Sequence, residues 1–78
     1  IAMFDTLKDI LVTEMDVKEE DIRPDAQLSA DLGLNSLELA DLVLLCEDRF
    51  GVTVSDDDIR TFLTVGDVCK YMERSVQN

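Results

Sequence analysis

Between Asn35 and Gly51 the chain spells out one complete helix, and no other segment constrains the fold as tightly. Leu39, Leu42, Val43, Cys46 and Phe50 recur at i, i+3, i+4, i+7 and i+11, which lines one face of an α-helix. Asn35 is a good N-cap because its short side-chain oxygen can accept a free N–H of the first turn. Glu38, three residues on, makes a capping-box pair with it. Gly51 stands just past the last apolar position, where a left-handed residue closes a helix. The helix predicted is 36–50, with Ser36 its first residue.

The same reading applies on either side. Phe4, Leu7, Ile10, Leu11 and Met15 share one face of a first helix starting at Phe4, with Asp5, Lys8, Asp9 and Glu14 opposite. Ser55 followed by Asp56, Asp57 and Asp58 reads as an N-cap with acids in the first turn, where the helix dipole favours negative charge. It leads a short helix through Ile59 to Phe62. Thr64 with Asp67 repeats the capping arrangement, and Val65, Val68, Cys69, Met72 and Val76 give the last helix its apolar face. Between the first two helices, 16–35 holds Pro24, Gly33 and scattered apolar residues (Val17, Ile22, Leu28, Leu32, Leu34), a long ordered loop pinned to the core. No period-two alternation, internal repeat or low-complexity run is present. The fold class expected is all-α, with three main helices and one short one.

A chain of 78 residues has room for one core, so 1–78 is expected to be a single domain. Ile1 and Ala2 precede Met3, which reads as the native start, and both are set aside as added residues. Eighteen Asp and Glu against seven Lys and Arg, with no His, give a formal charge of −11. Such a field repels nucleic acid and anionic membranes and favours basic protein surfaces as partners. From Asp25 to Asp58 nine carboxylates face a single cation, Arg49, which puts the contact surface in the middle of the chain. The plainer explanation of such a run is a solvated face that keeps the protein in solution.

Cys46 and Cys69 belong to no CxxC motif, and without His the usual zinc frameworks fall away; no metal site is expected. Both lie on apolar helix faces and are expected to be reduced and buried in the core. No apolar run is long enough to span a bilayer and no basic start precedes an apolar stretch, so a cytoplasmic location is the expectation. Catalytic residues are also expected to be none: no His stands ready to activate a Ser or Cys, and no glycine-rich phosphate loop is present. Asp56, Asp57 and Asp58 lack the Gly and closing Glu of a calcium loop, which leaves at most loose cation binding.

The central helix has more apolar residues than one buried stripe needs. Leu37, Ala40 and Leu44 form a second track, edged by Glu38, Asp41, Glu47 and Asp48. That layout suits a docking surface, with the apolar residues making contact and the acids steering a basic partner. It also suits a small core that wraps further round the helix. Ser36 sits where free N–H groups and the helix dipole would stabilise a phosphate on its side chain, although serine is also common simply as part of a helix start.

The run Asp31-Leu32-Gly33-Leu34-Asn35-Ser36-Leu37-Glu38-Leu39, continued through Leu42, Val43 and Phe50-Gly51, resembles the phosphopantetheine attachment region of acyl carrier proteins. The resemblance extends over nearly the whole chain from Met3, including the helix order, the acidity and the Thr64-Val65-Gly66-Asp67 helix start. It implies a four-helix bundle whose Ser36 receives 4'-phosphopantetheine from coenzyme A through a separate transferase. The arm would carry acyl intermediates as thioesters for fatty-acid or related polyketide, peptidyl or lipid biosynthesis. The protein would be a monomeric carrier and not an enzyme. The implied partners are the phosphopantetheinyl transferase and acyl-processing enzymes with basic docking surfaces. Asn35, Leu37, Glu38, Ala40, Asp41, Leu44, Glu47 and Asp48 would be the residues they read. One position departs from the family: its usual Asp-Ser-Leu is here Asn35-Ser36-Leu37. The alternative is an acidic helical interaction module, or nucleic-acid mimic, without a prosthetic group; a protein responsive to calcium or magnesium is a weaker third.

Overall fold

The structure, a computed structural model, describes residues 2–77. Ile1, set aside above together with Ala2, lies outside the described residues. Four α-helices follow one another: α1 (Met3–Met15), α2 (Ser36–Phe50), α3 (Asp56–Ile59) and α4 (Val65–Gln77), with a short 3-10 turn at Glu19–Asp21. No strand occurs among the described residues; a single isolated bridge pairs Gln27 with Thr64.

The long helices meet along the faces their periodicity marks. Leu7, Ile10 and Leu11 of α1, Leu42, Val43 and Cys46 of α2, and Val65, Val68 and Met72 of α4 form the centre of the core. α1 packs on α2 and α4, and α2 on α4. Burying a side chain of this size fully contributes about 1.5–3 kcal/mol, so this cluster is the main source of the bundle's stability. Each end follows from its residues. α1 stops at Asp16, which takes the left-handed conformation (φ 58°) and donates its N–H to Leu11 O. α2 stops at Gly51 (φ 67°), whose N–H goes to Glu47 O.

Three expectations are corrected. The third helix ends at Ile59 and not at Phe62. Thr61 takes Asp58 O with both its N–H (3.0 Å) and its Oγ1 (2.7 Å), which removes the acceptor that a continuing helix would offer to Phe62 N. Phe62 is buried from a non-helical position and meets Tyr71 edge-on, ring centroids 5.3 Å apart. Cys69 is half-buried: Val65, Val68 and Met72 fill the stripe of α4 and Cys69 falls at its edge. Val76 is exposed, since the buried part of α4 runs only from Val65 to Met72.

The 16–35 loop is sewn to the far end of the chain. Leu28 N donates to Leu63 O (2.9 Å), Val65 N to Ala26 O (3.0 Å) and Gly66 N to Pro24 O (2.8 Å). Ile22, Ala26, Leu28 and Leu34 are buried beneath these bonds, while Val17 and Leu32 are half-buried. Backbone groups that would otherwise be unpaired in a long loop therefore find partners in the α3–α4 connection. No described helix is long and apolar enough to cross a membrane.

Candidate functional site

The loop delivers the chain to α2 along a set path. Gly33 (φ 73°) turns it, Leu34 N donates to Leu28 O (3.0 Å), and the buried Leu34 side chain anchors the residue before the cap. Asn35 then adopts extended backbone (φ −86°, ψ 178°) and closes the predicted capping box. Its Oδ1 accepts from Glu38 N (2.8 Å), and Glu38 Oε1 accepts from Asn35 N (3.0 Å). Leu39 N is the first to enter the helical ladder, donating to Asn35 O (2.8 Å).

What remains at this helix end is a small group of free donors. The N–H groups of Ser36 and Leu37 have no acceptor among the described residues, as the first turn of a helix dictates once the third N–H is capped. Ser36 is exposed and its hydroxyl makes no hydrogen bond to the rest of the described chain. Beside it lies a cleft of about 310 Å³, walled by Leu28, Leu34, Leu39, Phe62 and Leu63 and bordered by Ser29, Asn35 and Ser36. An exposed hydroxyl, donors for an anion and an adjoining apolar cleft fit a phosphate ester that continues into an organic chain.

The second track of α2 is at the surface. Leu37 is 78% and Leu44 60% exposed, and Ala40 is exposed with them, so the core does not wrap round to this side. Asp41 and Asp48 are fully at the surface beside it. The two glutamates are half-buried and already engaged: Glu38 in the capping box, and Glu47 through Oε2, which accepts from Val54 N (2.7 Å) and ties the segment after α2 back to the helix.

Leu63 is the surface residue that the sequence pattern misses. It is 57% exposed and forms part of the cleft beside Ser36, though it comes from the α3–α4 connection. An apolar residue just before an N-cap usually packs back onto the helix it precedes, so local pattern points it inward. Here Asp67 Oδ2 accepts from both Leu63 N (2.9 Å) and Thr64 N (3.0 Å), and Thr64 Oγ1 accepts from Asp67 N (3.1 Å). These bonds, above all those with Thr64 and then that with Leu63, hold the Asp67 carboxyl below the usual carboxylate range.

The described residues include no group of three or more His, Cys, Asp or Glu side chains placed to hold a metal ion. Burial pushes the Cys46 thiol up to about 12, and burial raises Cys69 too, so neither cysteine is poised as a thiolate nucleophile.

Residues 5–72 match the family described as "Phosphopantetheine attachment site". The chain is 33% identical over 73 residues to the acyl carrier protein of Wolinella succinogenes, spanning 94% of this chain and 96% of that protein. It is equally 33% identical to the acyl carrier protein of a Sulfurovum species, spanning 94% and 97%. In three dimensions it matches the crystal structure of an acyl carrier protein from Thermotoga maritima with a TM-score of 0.86 at 21% identity, covering 96% of this chain and 87% of that one.

Proposed function

This chain belongs to the acyl carrier protein family, and from that premise we propose that Ser36 is the hydroxyl bearing the family's covalent phosphopantetheine. The protein is a carrier and not a catalyst. The bound group supplies a thiol on which acyl groups travel as thioesters; everything else at the site is the work of the chain's own residues. Residues 1–78 act together as one acyl carrier domain.

The observation that supports Ser36 most directly is its position: first in α2, exposed, its hydroxyl unengaged, at the edge of the apolar cleft. On modification Ser36 Oγ loses its proton and forms an ester bond to phosphorus, as the pyrophosphate bond of coenzyme A breaks and the nucleotide portion leaves. The free N–H groups of Ser36 and Leu37 would then be the donors available to the new negative charge, which the positive end of the α2 dipole would also favour.

The partners we infer are the phosphopantetheinyl transferase and enzymes of fatty-acid or related acyl biosynthesis. They read the exposed strip of Leu37, Ala40 and Leu44 with basic residues set against Asp41 and Asp48, and they meet the protein as a monomer. Glu38 and Glu47, committed to the fold, contribute mainly field, and Asn35 is the residue next to the reacting hydroxyl. At Asn35, where the family usually has Asp, the cap is kept but a carboxylate that could engage the transferase is absent.

The test is mass spectrometry of the protein incubated with coenzyme A, magnesium and a broad-specificity transferase. A gain of one phosphopantetheine, located on Ser36 by peptide mapping and lost in Ser36→Ala, is the expected result. A gain at another residue would refute the assignment. If neither the wild type nor Asn35→Asp is modified, even by the transferase of the same organism, the acidic interaction module replaces this reading. Faster modification of Asn35→Asp than of the wild type would show that the amide slows the transferase.

A further inference from the structure

We propose that Asn35 positions the phosphodiester on Ser36 by donating a hydrogen bond to it from its side-chain amide, Nδ2. This rests on Ser36 being the attachment site. It goes further in giving a single neighbouring side chain the task of holding the root of the arm.

The capping box carries the argument. Asn35 Oδ1 is occupied by Glu38 N at 2.8 Å, and only the oxygen of an amide can accept that bond, so the identity of the two amide atoms is settled. The return bond from Asn35 N to Glu38 Oε1 at 3.0 Å fixes the residue from its other side. The amide is thereby held in place, and its remaining group, an NH₂ with two donors, has no acceptor among the described residues. Asn35 is exposed, so those donors face water, and the next residue in the chain is Ser36.

The acidic side chains close to this position in the chain are turned to backbone donors. Glu38 is tied by Oε1 to Asn35 N, and Asp31 Oδ2 accepts from Gln27 N at 2.7 Å. Asp41 lies more than a turn further along α2. With the free N–H groups of Ser36 and Leu37, the amide gives this end of α2 three groups able to donate to a phosphate on Ser36. A donor already fixed in orientation meets a phosphate oxygen with little further ordering, and hydrogen bonds to an ionised acceptor are the stronger kind. Aspartate at this position would keep the cap, because a carboxylate oxygen accepts from Glu38 N equally well. It would also replace a donor by a negative charge beside the phosphate. Asn35→Asp thus separates the two roles of the residue.

The experiment compares ¹⁵N-labelled protein before and after modification. The chain has four side-chain amides, those of Gln27, Asn35, Gln77 and Asn78, so the NH₂ spectrum is simple. In the modified protein the Asn35 NH₂ resonances are expected to move downfield while those of Gln27 and Gln77 stay. The ³¹P signal of the arm is expected to relax faster in the wild type than in modified Asn35→Asp, reporting an ordered root. The inference is overturned if Ser36 and Leu37 backbone amides shift on modification while the Asn35 NH₂ moves no more than that of Gln27, or if ³¹P relaxation is the same in both proteins. The wild-type comparison needs no variant and decides the matter even if Asn35→Asp fails to fold. An absent mass gain at Ser36, seen before any spectrum is recorded, would instead remove the attachment assignment and this inference with it.

Discussion

Asp67 concentrates three bonds on one residue: its carboxylate caps Leu63 N and Thr64 N, and its own N–H is capped by Thr64 Oγ1. Asp67→Ala removes the carboxylate's share and is expected to cost about 1 kcal/mol, the usual worth of such a cap, measured by denaturant unfolding. The pH dependence follows from the direction of the shift. The native carboxyl is held below the unfolded value of about 3.9, so its contribution is complete above that pH and is lost as pH falls through the lower native value. Stability should thus fall more steeply below about pH 4 in the wild type than in Asp67→Ala; parallel curves would show that Asp67 is not responsible. The cysteines differ by position at the same scale. Cys69, half-buried, is expected to react with an alkylating reagent well before the buried Cys46, and both slowly, because burial raises both thiols. Peptide mapping of partly alkylated native protein checks the order.

Among the elements, α4 is held where it starts by an unusually close contact with the long loop. A Cβ on Gly66 would lie 2.8 Å from Pro24 O, the same carbonyl that accepts Gly66 N at 2.8 Å. Neither atom can move without disturbing the other backbone, so Gly66→Ala is expected to destabilise by about 1–3 kcal/mol. A loss below that range would mean that the loop shifts freely. α2 presents the opposite case, an exposed face that folding does not use. Replacing Leu44 by Arg should leave stability within about 0.5 kcal/mol. The same change, adding a positive charge where basic partners dock, should raise KM for the transferase. An unchanged KM would place that partner elsewhere on the surface.

At the scale of the molecule, the −11 charge is spread over a body of 31 × 27 × 20 Å. The ion pairs that offset it, such as half-buried Lys8 with exposed Glu19 at 3.3 Å and the exposed pair Arg49 and Asp9 at 3.9 Å, lie at the surface and are worth at most about 1 kcal/mol each. Repulsion across the molecule is therefore a net cost to the folded state. At an ionic strength of 0.1 M the screening length is about 10 Å, less than any dimension of the body. The melting temperature should rise between low and moderate monovalent salt, and a flat response would show that repulsion is as strong in the unfolded chain as in the folded one.

What the sequence determined by itself is whatever depends on near neighbours along the chain. The bounds of α2, its capping box from Asn35 and Glu38, its closure at Gly51 and the Thr64–Asp67 cap all involve residues within four positions of each other, and the structure has each where the pattern puts it. The place of Ser36 as the first residue of α2 follows from that same local geometry. The tertiary structure decided what depends on distant partners. Leu28 bonds to Leu63, which brings a residue of the α3–α4 connection to the cleft beside Ser36. Tyr71 OH donates to Asp58 Oδ2 at 2.9 Å, and Phe62 packs against the same ring, in a segment whose helix ends earlier than its composition suggests. Packing also left Cys69 at the edge of the core and the Leu37–Leu44 track outside it, a choice that periodicity leaves open because a helix face records spacing and not what lies opposite.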